Sequence, residues 1–183
     1  MPVVISLLRG INVGGNNLIK MDALRTLYHS LKLRDPQTYV QSGNVVFQTT
    51  ERDIPLVAAR IEKKIEQEFG VRPAVIVRTL PEWRDAIAHN PFAGRPGIEP
   101  NKLLAIFLAS QPTTAVRDAL LALKPEPEEV HLHGREVYVY FPNGQGQSKF
   151  AGPIDKALKK TGTGRNWNSV TKLLEIAEKI EGR

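Results

Sequence analysis

Three polar segments, residues 9–17, 143–149 and 161–166, carry the residue types best suited to chemistry. In each, a strand or hairpin is expected to empty into a glycine- and asparagine-rich turn that leads to a helix start. Helix N-termini leave backbone N–H groups unpaired and carry partial positive charge, while glycine lets the backbone approach a ligand closely. Such turns suit phosphate or carboxylate. Lys149 and Arg165 add full charges, and Arg165 has the planar fork that grips an oxyanion with two parallel hydrogen bonds. None of the three matches a Walker A loop or a dinucleotide fingerprint, and as plain tight turns they need no ligand.

Other chemistry has less support. The chain has no cysteine, which excludes disulfides, thiolate catalysis, iron–sulfur clusters and cysteine-ligated zinc. His131 and His133 alternate along an expected strand and share one face, but no third ligand stands near them in sequence, so no metal site is expected. Ser42 lacks the flanking glycines of a nucleophile elbow, and Glu128 and Glu129 read as solvated charge before a hairpin. Trp83 and Trp167 stand at helical spacing from Ile87 and Val170, the pattern of core anchors. No catalytic residue, reaction or cofactor is assigned.

The elements that must position these residues follow from the hydrophobic pattern. An apolar run over residues 3–8 predicts a strand, and Met21, Leu24, Tyr28 and Leu31 predict a helix with Asp22 at its positive end. Pro36 is expected to break the chain before a hairpin that turns at Gly43 and Asn44. Asp53 and Pro55 open a second helix that Gly70 closes, and residues 74–77 form a further strand. The order strand, helix, hairpin, helix, strand is that of a ferredoxin-like unit. Thr79 and Glu82 form a capping box for a connecting helix.

After a glycine- and proline-rich link over residues 92–100 the order begins again, with a hairpin at Gly134 and Arg135. No last strand is expected before the terminal helix that carries Trp167. The fold class is therefore α+β, two successive ferredoxin-like (βαββαβ) halves, the second incomplete, with a C-terminal helix. Residues 1–91 hold the first half and its connecting helix, and residues 101–183 the second half and the terminal helix, and the two are expected to form one compact unit.

Twenty-five Lys and Arg against nineteen Asp and Glu give a formal charge of +6, which attracts phosphates or acidic partners. No signal peptide or membrane span is expected, and a cytoplasmic setting is. Three blocks in order, Leu7-Leu8-Arg9-Gly10-Ile11-Asn12-Val13-Gly14-Gly15, Gln41-Ser42-Gly43-Asn44-Val45-Val46-Phe47 and Arg165-Asn166-Trp167-Asn168-Ser169-Val170-Thr171-Lys172-Leu173, resemble the bacterial family called domain of unknown function 1697. The resemblance implies an α/β fold and a cytoplasmic protein, and brings no activity with it. Its blocks fall on the polar turns already singled out. The expected ligand-binding set is Arg9, Asn12, Gly14, Gly15, Gln41, Ser42, Asn44, Lys149, Arg165 and Asn166. The expected partner is an anionic small molecule. The alternatives are a nucleic-acid-binding module that uses a basic face and an exposed sheet, with weak, salt-sensitive binding, and a protein-interaction module without chemistry.

Overall fold

A computed structural model describes residues 1–183 as an α+β protein with two four-stranded antiparallel sheets and six α-helices. It divides into two compact units, one of Met1–Asp85 with Lys172–Arg183 and one of Ala86–Thr171. None of its helices is long and apolar enough to cross a membrane.

The first unit runs β1 (Val3–Leu8), α1 (Met21–Ser30), β2 (Arg34–Tyr39), β3 (Asn44–Gln48), α2 (Ile54–Phe69) and β4 (Val75–Thr79), in sheet order β2-β3-β1-β4. Alternate residues of the sheet, Val4, Leu8, Val45 and Phe47, join a core with Leu24, Leu27, Ile61 and Ile65 of the two helices. Ser6 sits in this apolar setting because its hydroxyl is satisfied, within 2.8 Å of the Tyr28 hydroxyl and donating to the Val45 carbonyl. Burial pushes the Tyr28 phenol well above its ordinary range. Asp53 caps α2 by accepting from the Leu56 N–H, and Gly70 ends it in the left-handed region at φ 71.

Two expectations for this unit are corrected. Pro36 lies inside β2, where it is tolerated because β2 is an edge strand whose register shifts between Arg34 and Gln37. The hairpin is not a two-residue turn at Gly43 and Asn44: Tyr39 pairs with Asn44, so residues 40–43 form the loop. β1 is buried along its whole length.

The second unit runs β5 (Leu103–Phe107), α4 (Thr114–Ala122), β6 (Glu129–His133), β7 (Glu136–Tyr140), α5 (Ala151–Ala157) and β8 (Thr163–Asn166), in order β6-β7-β5-β8. Ile106, Val137 and Val139 pack with Leu120 of α4 and with Ile154 and Leu158 at α5. The hairpin turns at Gly134, φ 55, as its sequence demands.

Contrary to expectation the last strand exists. Residues 163–166 pair with β5, Thr163 opposite Phe107 and Asn166 opposite Leu104. Four residues with one β-branched side chain give little strand signal, yet backbone pairing to β5 suffices at an edge. The glycines here answer to packing: a Cβ on Gly162 would lie 2.3 Å from Ile106 Cγ2, and one on Gly164 3.2 Å from Leu104.

α3 (Leu80–Ala88) opens with the capping box, the Thr79 N–H donating to Glu82 Oε2 at 2.8 Å. The segment after it is no free linker. Phe92 is buried with its ring against His131 and Tyr140, Tyr138 donates to the Ala86 carbonyl, and Tyr140 to that of Gly97. α6 (Trp167–Glu181) is divided, its residues from Lys172 onward belonging to the first unit. There Leu173, Ala177 and Ile180 are buried, and Arg84 of α3 pairs with Glu178 and Glu181.

Candidate functional site

In the first unit the two expected polar blocks meet at one end of the sheet. The loop between β1 and α1 turns sharply, with Gly10, Asn12, Gly14, Gly15 and Asn17 all at positive φ. Asn12 is its clasp: its amide donates to the Ile19 and Gln41 carbonyls, and its Oδ1 accepts from the Ile19 N–H. Asn44 is buried and closes the β2–β3 loop by donating to the Tyr39 carbonyl. Leu8 donates to the Gly43 carbonyl and Arg9 to that of Ala74 through their backbone N–H groups. Asn12 and Asn44 thus hold the architecture, while Gly14, Gly15 and Ser42 lie on exposed loops.

Beside the Asn12–Gln41 junction lies a cavity of about 400 Å³ lined by Lys20, Met21, Asp22, Arg25, Thr38, Val40 and Gln41. Of the residues expected from sequence, Gln41 alone lines it. Lys20 occupies the N-cap position of α1 in extended conformation, and no side chain caps the helix. A cation is the wrong charge for that end of a helix unless an anion joins it. Arg25 pairs with Asp22 and donates to Thr38 Oγ1. Sequence reading passed over Lys20 and Arg25, although a lysine in place of the usual Ser, Thr or Asp before a helix was a visible signal.

Of the second-unit residues, Arg165 leaves its expected turn. Lys149 is exposed in the loop before α5, where neighbouring Ser148 donates to Glu128 and accepts from the Phe150 N–H. Glu128 is buried, not solvated as expected. Arg165 is a strand residue opposite Ala105, half-buried, donating to the Gly164 carbonyl, and desolvation pulls its guanidinium down to about 10. Asn166 caps α6 by accepting from the Ser169 N–H. Lys149 and Arg165 therefore stand on separate elements, Lys149 in the loop before α5 and Arg165 in β8 and not on a turn.

The outer side of β6 is covered by the chain that follows α3. His89 stacks on His133, Phe92 meets His131 edge-on, and Arg95 forks onto Glu129 with two hydrogen bonds of 2.9 and 2.8 Å. The Arg95 guanidinium holds the Glu129 carboxyl down to about 2, with a smaller contribution from His131. The histidine that sequence spacing could not supply to His133 is thus His89, from a distant part of the chain.

Comparison with known proteins adds the family and the fold. None of the curated proteins matches the chain. A conserved bacterial protein, SP0830, from Streptococcus pneumoniae has a similar structure, with a TM-score of 0.72 at 17% identity, over 96% of this chain and 98% of that one. At that identity the likeness concerns the fold alone. The model of the family described as protein of unknown function (DUF1697) matches residues 1–138, and the chain belongs to that family.

Proposed function

We propose that the first unit binds a small phosphate-bearing or other anionic molecule in the cavity at the start of α1, and that both units are ferredoxin-like repeats. The observation that carries the binding reading is the α1 N-terminus, which has a lysine and no capping side chain and opens into a cavity of about 400 Å³. Cavities of this size suit small molecules. The first N–H groups of α1, from Met21 to Ala23, are the natural donors to an oxyanion. Lys20 supplies the charge, and Gln41 a neutral carboxamide. Exposed Val40 offers an apolar wall to the uncharged part of the ligand. Asp22 opposes an anion, and Arg25 offsets it; a bound phosphate competes with Asp22 for that guanidinium. The repeat reading is supported by the same βαββαβ order and the same arrangement of strands in both sheets.

The test is calorimetric titration with inorganic phosphate and a panel of nucleotides at fixed ionic strength. Lys20→Ala and Arg25→Ala should each weaken binding about tenfold, the loss of one charge-assisted hydrogen bond. Lys149→Ala should bind like the parent. A parent that binds none of these anions defeats the reading, and a loss confined to Arg165→Ala moves the site to β8.

A further inference from the structure

The two helices of the second unit fill their seam less fully than those of the first. In the first unit α1 and α2 each bury four side chains, whereas in the second α4 buries Leu120 alone and α5 Ile154 alone. Ala115 and Ala119, one turn apart on one face of α4, instead line a cavity of about 710 Å³ together with Ala157 of α5. Half-buried Val116 also lines it and, with Ala157, packs on the core of this unit. Two exposed lysines, Lys156 and Lys159, stand in the wall, while the carboxylates of the same helices, Asp118 and Asp155, do not. A smaller cavity of about 230 Å³ shares Val116 and Lys159 with the first and is lined also by Ser110 and Thr161. The groove is therefore apolar between the helices and polar at its Lys159 end.

We propose that this groove binds an unbranched aliphatic carboxylate, its chain between α4 and α5 and its head group at Lys156 and Lys159. Cavities of this order, walled mainly by apolar side chains with a few polar groups, are those of small-molecule sites. Charge selects the head group: both titratable side chains in the wall are cationic, so an anion is favoured there. The lysine stems add apolar surface beneath their charges. Small side chains select the tail, because a trough walled by alanines has room for an extended chain. No aromatic side chain lines the groove, so nothing in its wall favours the stacking of a base or ring. The groove shares no residue with the anion cavity at α1, and neither reading depends on the other.

Calorimetric titration of the full chain with hexanoate, octanoate, decanoate and dodecanoate tests the proposal, each below its micelle-forming concentration and at fixed ionic strength. Affinity should rise about twofold or more for each added methylene, a fully buried one being worth about fourfold. Lys156→Gln and Lys159→Gln should each weaken decanoate about threefold, the scale of an exposed ion pair, and leave decanol unchanged. Ala119→Trp fills the trough and should abolish binding of both. Leu121→Trp, at an exposed position of α4 outside the groove, should bind like the parent. Absence of saturable binding would overturn the site, as would affinity independent of chain length, unchanged affinity in both lysine variants, or an equal loss in Leu121→Trp. A parent that sediments as a dimer and turns monomeric in Ala119→Trp would give the groove to a second copy of the chain, and overturn the proposal equally. Circular dichroism checks that each variant keeps the fold, and the chain-length series, which needs no variant, decides the matter where Ala119→Trp does not.

Discussion

At the scale of single residues, polar character alone does not separate architecture from function. Asn12, Asn44 and Asn166 are the kind of residues that suggest a ligand, yet each is engaged by backbone groups of its own fold. The sequence holds their identity but not their partners, which come from loops brought together only by the sheet. Gly43 shows the same division. It has φ 76, and an added Cβ would lie 2.6 Å from Ile11 Cδ1 and 2.8 Å from Leu8 Cβ. Gly43→Ala should therefore destabilise the protein by about 2–4 kcal/mol, combining left-handed strain with overpacking, as measured by urea denaturation. The Arg95–Glu129 pair makes a prediction about pH. Glu129 ionises at about 2 in the folded chain, below the roughly 4.3 of an unperturbed glutamate. Its contribution is thus fully present above the unfolded value and is lost as pH falls through about 2. The stability difference between parent and Glu129→Gln should be constant near neutrality and shrink across that acid window. A difference that stays flat would show that the pair contributes nothing through ionisation.

At the scale of elements, the strongly patterned segments were legible. α1 and α2 announce themselves by apolar periodicity, and α2 also by Asp53 and Gly70 at its ends. The capping box at Thr79 and Glu82 was readable from residue type and spacing, and Thr79→Ala should cost about 1 kcal/mol in denaturant unfolding. β2 was legible only as the first arm of a hairpin, without its start, and β8 not at all, because both are edge strands held by backbone pairing and not by apolar alternation. A proline within β2, and one glycine within β8 with another just before it, gave the signature of turns. For that reason the 161–166 cradle dissolves into a strand, whereas the start of α1 gains weight. The candidate cavity was only partly visible: Gln41 was named, but Lys20 and Arg25 acquire meaning once β2 and the 40–43 loop are set beside α1.

At the scale of the whole molecule, the repeated topology was visible in element order, whereas the division of α6 was not, since no local pattern says which core a helix will cover. Leu173, Ala177 and Ile180 are buried and belong to the first unit, where the Gln48 amide also reaches the Ile180 carbonyl. Ending the chain after Thr171 should cost about 3–6 kcal/mol from the exposed leucine and isoleucine surfaces alone, and an unchanged melting temperature would refute the covering role. The anion reading asks more of the molecule, because it assigns a function to the junction of a loop, a helix start and an edge strand. Its most direct test is a nitrogen–proton correlation spectrum of the whole chain, titrated with inorganic phosphate at constant ionic strength. Saturable shifts should concentrate on the amides of Met21, Asp22 and Ala23 and on the Gln41 side chain, and should vanish in Lys20→Ala. Shifts spread evenly over the basic surface, or none at the start of α1, would contradict it.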